Sequence, residues 1–378
     1  MGKQTVPLLD LKAQYASIKE DVNIAITRVL ESQAFILGEE VADFEDSIST
    51  YLDCKYAVGV SSGTDALLLS LMALGVGPGD EVITTPYTFF ATAGSIARTG
   101  AKIVFVDIQE DSFNLDPCYL QAAVTERTKA IIPVHLYGRS ADLDGILAVG
   151  REFDVPVIED AAQSIGASFE GRKVGTIGNL GCFSFFPAKN LGGYGDGGLI
   201  ASNDERLAEI CRRLRVHGGA KKYFHESVGG NFRLDALQAA ILGVKLPHLD
   251  RWNASRRANA KLYAAFFEPM VAEGTVTLPL IGEEDVFNQF CIRVGRRDEL
   301  QGRLKQAGIS TAVYYPLSLH QQECFSDLDY KEGDFPVSER CAKTSLALPI
   351  HPDLSEEAIR YVVDVVTEFC QRAADSMH

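Results

Sequence analysis

Apolar residues follow two alternating rhythms along this chain. Short, nearly continuous apolar runs at 57–60, 81–84, 103–106, 130–134, 155–158, 182–186 and 198–201 read as buried strands. Between them lie stretches with apolar residues every three or four positions, such as 91–98, 142–153 and 204–215, which read as helices. Strands alternating with helices predict an α/β fold with a mainly parallel sheet covered on both faces. Two more helices, 22–30 and 40–51, precede the first strand. Pro247 interrupts a long helix that starts near Leu234, so it marks a boundary between a large unit, 1–246, and a smaller α+β unit, 247–378. The smaller unit reads as helix 251–267, strand 286–294, helix 298–307, strand 309–315 and a closing helix 355–373. Residues 1–30 are expected to pack on it.

Composition narrows the class. The length of 378 residues suits two domains, and 46% hydrophobic with 23% charged residues describes a soluble globular chain. A net charge of −15 argues against a nucleic-acid partner. One basic run, Arg212, Arg213, Arg215, His217, Lys221 and Lys222, suits either an anionic small molecule or a solvated helix face. The eight cysteines show no CxxC spacing and no zinc pattern, so they read as reduced thiols of a cytoplasmic protein. No signal-peptide core and no membrane span is visible, the longest apolar stretch being 66–76.

The chemistry concentrates between Val155 and Ile200. A buried strand ends in Glu159 and Asp160, where open α/β sheets bind their ligands. A second strand is followed by Pro187, Lys189 and a loop with Gly192, Gly193, Gly195, Gly197 and Gly198. Phe183, Phe185 and Phe186 place Lys189 beside an apolar wall, which favours its neutral, nucleophilic amine. Earlier in the chain, Ser61-Ser62-Gly63-Thr64-Asp65 follows a strand and opens a helix. That is either an anion site of free N–H groups or an ordinary capping box. A strand-end acid, a lysine in an apolar loop and an anion site together suit pyridoxal phosphate (PLP), with Gly63, Thr64 and Ser184 on its phosphate. The GxGxxG match from Gly193 to Gly198 precedes a strand rather than a helix, so it is not a dinucleotide fingerprint.

The segments IEDAAQSIGA and GCFSFFPAKNLGGYGDGG resemble the signature of the DegT/StrS-type (DegT/DnrJ/EryC/StrS) sugar aminotransferases. These are PLP enzymes of the aspartate aminotransferase fold (fold type I), and the resemblance runs from PLLDLKAQY to SLALPIHPDL. It implies that Lys189 is the Schiff-base lysine, that Asp160 faces the pyridine nitrogen, and that Gln163 and Phe89 lie against the ring. From the residues alone, Phe89 fits a core position equally well. The resemblance further implies a homodimer in which Asn231 touches the partner's PLP phosphate and Arg233 shapes the partner's substrate pocket. Asn231 also suits a plain turn. The segment TAVYYPLSLHQQ resembles the family's substrate-side loop, which gives Tyr314 and His320 as candidate substrate contacts, although His often stands at the place of Tyr314.

The implied reaction moves an amino group from L-glutamate to a nucleotide-linked keto sugar. It leans toward a UDP-linked 3-keto sugar, with 4-keto sugars close behind, in amino-sugar and polysaccharide (lipopolysaccharide/O-antigen) synthesis. Three alternatives stand beside it. A sugar dehydratase of the same family typically carries His where this chain has Lys189. A non-catalytic regulator could keep the fold. A Ser184/Lys189 hydrolase is weakest, lacking an oxyanion element.

Overall fold

The computed structural model describes residues 5–221 and 223–375. Its strands are β1 (Tyr56–Val60), β2 (Glu81–Thr84), β3 (Lys102–Phe105), β4 (Thr128–Ile131), β5 (Ile158–Asp160), the hairpin β6 (Ser168–Phe169) and β7 (Arg172–Lys173), β8 (Leu180–Ser184), β9 (Gly198–Ser202), β10 (Val276–Thr277), β11 (Phe290–Val294) and β12 (Ser345–Leu348). One group pairs in the order β3-β2-β4 and another in the order β5-β8-β9-β1. Parallel bridges Ile131↔Val157 and Val134↔Asp160 join them into one twisted layer. Within it only β9 runs antiparallel to its neighbours.

Both faces of this sheet are covered, which is why its strands read as unbroken apolar runs. Val58, Val82, Ile158, Cys182 and Ile200 pack toward the helices Gly63–Ala73, Phe90–Thr99 and Glu205–Leu214. Their sequence neighbours Phe183, Leu199 and Ala201 face the helices Glu39–Leu52 and Ala236–Lys245. Two strands are displaced from the pattern-based positions. Pro133 and Pro156 have no N–H to continue a ladder, so β4 stops at Ile131 and β5 starts only at Ile158. The expected strand 309–315 is reduced to the bridges Val6↔Ile309 and Ala312↔Ala347.

The smaller antiparallel sheet, β10-β11-β12, packs with the helices Leu249–Ala272, Arg297–Gln306 and Glu356–Asp375 around a separate core. Between the two cores the chain passes through a 3-10 turn, Leu246–His248, that contains Pro247. Val6 belongs to the smaller core. The helix Leu11–Ser32 goes elsewhere, setting Ile18 and Val22 against Ile241 and Trp252. The basic run is dispersed: Arg212 lies over Tyr56, Arg213 pairs with Glu226, Arg215 is buried on Glu45, and Lys222 lies outside the described residues. Among the described residues no helix is long and apolar enough to cross a membrane.

Alternation along β5 sends Glu159 and Asp160 to opposite faces. Glu159 is fully buried and well supplied with donors. It accepts hydrogen bonds from the N–H groups of Gly175 (2.6 Å), Ile177 (2.7 Å) and Gly178 (2.6 Å), and pairs with His135 Nε2 at 2.9 Å. His135 Nδ1 accepts from Ala141 N–H, so the ring proton sits on Nε2 and points at Glu159. Burial pushes the Glu159 carboxyl upward, but His135 and the glycine N–H groups outweigh it, and the group sits below the ordinary glutamate value. A depressed carboxyl contributes stability that is present above its unfolded pKa, roughly 4.3, and is lost as pH falls through the folded value. Glu159→Gln is expected to cost about 2–4 kcal/mol at pH 7, because the amide turns a donor toward existing donors. Thermal melts between pH 3 and 7 should show the variant losing less on acidification than the parent. Parallel curves would refute this role.

Candidate active site

A cavity of about 610 Å3 opens at the carboxyl ends of the parallel strands, where such sheets bind ligands. Gly63 and Thr64 follow β1, Phe89 follows β2, Asp160 ends β5, and Ser184 ends β8; all line it, with Gln163 and Lys189. The facing wall comes from the smaller sheet and its loops, through Asn288, Gln289, Tyr314, Tyr315 and Ile350. Leu8 and Leu9 complete the lining.

Lys189 is half-buried and open to the cavity. Burial lowers its pKa to about 8, while the Asp160 charge pulls the other way. The apolar wall differs from the expected one. Phe183 and Phe185 sit in the core beneath the loop, because alternation turns them away, and Phe186 alone of the three lines the cavity. The glycines differ in role too. None of Gly192, Gly193, Gly195, Gly197 and Gly198 has a positive φ. They permit close approach instead: a Cβ on Gly192 would lie 2.4 Å from Pro187 O, and one on Gly198 would lie 2.4 Å from Ser62 O. Asn190, next to Lys189, donates to Asn253 Oδ1 (2.7 Å) and Val286 O (2.9 Å) and accepts from Asn288 Nδ2 (2.8 Å). That amide chain ties the lysine turn to the residues leading into the smaller sheet.

Asp160 is buried with two neutral donors. Thr92 Oγ1 donates to Oδ2 at 2.8 Å, and Ala162 N–H donates to Oδ1 at 3.2 Å. Burial raises its pKa above the ordinary aspartate value despite those bonds and the charge of Lys189. Those two hydrogen bonds do not offset the burial. A cation in front of it would. Thr92, itself 3.2 Å from Thr88 Oγ1, had no signal in the sequence, where it reads as an ordinary helix residue.

The helix opening at Gly63 combines both readings of its sequence. Ser62 Oγ accepts from Asp65 N–H at 3.0 Å, while Ser61 and Ser62 donate to Asp65 Oδ2. The capping box satisfies Asp65 N–H; among the described residues, the N–H groups of Gly63 and Thr64 have no hydrogen-bond partner. A Cβ on Gly63 would meet Ser184 Cβ at 2.7 Å, so only glycine lets Ser184 close this side of the cradle. Two unclaimed N–H groups at a helix N-terminus beside a hydroxyl fit a phosphate.

Gln163 is fixed at both ends, accepting from Tyr137 N–H (2.7 Å) and donating to Tyr315 OH (3.0 Å). Phe89 is 57% exposed and faces Tyr315 at 6.2 Å between ring centroids, so it is not a core residue. Tyr314 lines the cavity, and its carbonyl accepts from Tyr87 OH and Tyr137 OH. His320 does not line it. Its ring is 3% exposed, bonded to Glu339 Oε1 at 3.1 Å and packed on Phe335, which is a structural placement. Asn231 and Arg233 lie outside the cavity as well, on a segment held by the bridges Val216↔Asn231 and Val60↔Arg233.

A lysine amine kept reactive by burial, a strand-end carboxyl whose pKa is raised by burial and a phosphate cradle in one cavity are what a PLP-dependent enzyme requires. The chain is such an enzyme, and the family match below makes it an aminotransferase. It belongs to the DegT/DnrJ/EryC1/StrS aminotransferase family, whose model matches residues 16–367. It is 52% identical over 370 residues to a pleiotropic regulatory protein of Geobacillus stearothermophilus, covering 98% of this chain and 100% of that one. It is 44% identical over 362 residues to the UDP-2-acetamido-2-deoxy-3-oxo-D-glucuronate aminotransferase of Pseudomonas aeruginosa, with 96% and 99% covered. The dTDP-3-amino-3,4,6-trideoxy-alpha-D-glucose transaminase of Streptomyces venezuelae is 42% identical over 368 residues, with 97% of each chain covered. Among solved structures, S. venezuelae DesV in complex with a ketimine intermediate superposes with a TM-score of 0.94 at 41% identity, covering 97% of this chain and 98% of that one. NtdA of Bacillus subtilis with bound cofactor PMP gives 0.89 at 32% identity, covering 94% and 82%.

Two outcomes follow for the site. In cofactor-free protein, acylation of Lys189 followed by peptide mass spectrometry should have its pH midpoint near 8; a midpoint near 10.5 would show a solvated amine. Thr92→Val should weaken PLP affinity and turnover by about 10-fold or more, the worth of one hydrogen bond to a charged group, and Thr92→Ser should restore both. Unchanged PLP affinity in the valine variant would remove Thr92 from the site.

Proposed function

We propose that this chain transfers the amino group of L-glutamate to the C3 ketone of a nucleotide-linked sugar, UDP-linked in preference to dTDP-linked, for amino-sugar synthesis. One observation carries the chemistry: Lys189 and Asp160 share a single cavity with the anion cradle at Gly63. In this reading Gly63, Thr64 and Ser184 would hold the PLP phosphate, Asp160 the protonated ring nitrogen, and Gln163 and Phe89 the ring's edge and face. PLP, when bound, supplies an acceptor for the electron pair left on a carbon that loses its proton. Asp160 would keep that acceptor protonated, and the facing cation would in turn lower the Asp160 pKa.

Lys189 Nζ would hold the cofactor and, once free, would serve as a base. It would take the proton from the α-carbon of glutamate. In the second half-reaction the same nitrogen delivers a proton to C3 of the sugar. Leu8, Leu9 and Ile350 add apolar surface to the cavity. Asn231 and Arg233 would serve the partner's cavity in a homodimer, which accounts for their position outside their own. The units 1–246 and 247–378 would together form the two walls of the cleft.

The preference for C3 rests on the relatives whose names place the keto or amino group there, in P. aeruginosa on a UDP sugar and in S. venezuelae on a dTDP sugar. The regulatory name of the G. stearothermophilus relative supports a second reading, a regulator that retains the fold. Incubation with glutamate and a panel of UDP- and dTDP-linked 3-keto and 4-keto sugars decides between them. The expected products are 2-oxoglutarate and a 3-amino sugar, identified by mass and NMR. Lys189→Ala should retain less than about a thousandth of the rate and Asp160→Ala less than about a hundredth. No transamination of any sugar by the yellow, PLP-loaded protein would favour the regulator.

A further inference from the structure

One buried lysine has no part in that chemistry. Lys245, at the end of the helix Ala236–Lys245, is 1% exposed and does not line the cavity. Its Nζ donates to Gly192 O at 2.5 Å and lies 4.7 Å from the centre of the Tyr194 ring. Among the described residues it has no carboxylate partner.

Gly192 O belongs to the peptide that closes the lysine loop. The N–H of that same peptide unit, on Gly193, donates to Phe185 O at 2.7 Å. Between these points lie Phe186 to Gly192, with Lys189 N–H donating to Phe186 O at 2.8 Å. One peptide plane is thus gripped at its oxygen by a cation and at its nitrogen by the start of the loop. A cation on a carbonyl polarises the amide and strengthens its N–H as a donor. The next residue is held from the same helix, since Gln238 Oε1 accepts from Tyr194 N–H at 2.7 Å.

A buried ammonium without a counter-ion is costly, and an apolar side chain would fill this face of the helix at less expense in free energy. Burial lowers the lysine's pKa to about 8, which leaves it mostly protonated at neutral pH. Resting on the reading of Lys189 as the amine that captures PLP, we infer that Lys245 is a positioning residue that holds the Lys189 loop in its reactive conformation through the Gly192–Gly193 peptide. It touches neither cofactor nor substrate.

The test uses full-length cofactor-free protein mixed with PLP, quenched with borohydride at intervals, and read as the pyridoxyl adduct on the Lys189 peptide. In the parent protein the adduct forms on Lys189; an adduct elsewhere would overturn the reading of Lys189 itself, whatever Lys245 does. Lys245→Met is expected to slow capture at least about fivefold. Its pH midpoint for capture should rise by about half a unit or more, because a loosened loop lets water reach the Lys189 amine and relieves the burial that lowers its pKa. Lys245→Gln, a neutral donor, should fall between. A smaller slowing, or equal slowing at every pH with an unmoved midpoint, would overturn the inference. Should Lys245→Met not fold, Lys245→Gln carries the test: it should slow capture about twofold or more and raise the midpoint, and capture at the parent's rate or with the parent's midpoint would overturn the inference.

Discussion

Burying a carboxylate commits a fold to supplying something that answers its charge, and β5 does this twice in succession. Glu159 turns to one face and finds His135 and three backbone N–H groups in the turn after β7. Asp160 turns to the other and finds a threonine hydroxyl, one N–H and the charge of Lys189, which do not offset its burial. The first acid is satisfied internally and fixes the sheet beneath the site. The second is left short of positive charge, and the cavity exists on that side. The lysine loop, the glycine contacts and the helix opening at Gly63 are arranged around the acid whose demand the protein itself does not meet.

The sheet was legible because both of its faces are buried, which leaves continuous apolar runs bounded by glycine and polar residues. Asp160 and Lys189 were legible because chemistry restricts which residues end a strand or sit in an apolar loop. What escaped detection depends on contacts distant in sequence. Thr92 meets Asp160 across 68 residues, and the facing wall at Asn288, Gln289 and Tyr315 comes from the other sheet's loops. Local effects also misled: Pro133 and Pro156 trimmed two strands, and alternation moved Phe183 and Phe185 away from the lysine. His320 carries a polar side chain into the core rather than the cavity, a distinction that periodicity does not make. Asn231 and Arg233 were assigned through the resemblance alone, and they lie outside the cavity.

The regulatory name borne by one relative and the aminotransferase names borne by others need not divide the family by structure. A chain that only bound a partner would gain nothing from an under-satisfied aspartate and a lysine amine in one cavity, both of which are unfavourable in the folded state. Their presence here is the physical argument for chemistry, and it is independent of any name.

The chain of asparagine amides running from Asn253 through Asn190 to Asn288 has a mechanical consequence. Rocking the small sheet away from the large one would break the bond from Asn288 to Asn190, at roughly 1 kcal/mol or more, one residue from the reactive nitrogen. Cleft geometry and the lysine turn are therefore coupled. A ligand that drew the two walls together would also, by the same motion, aim the nucleophile.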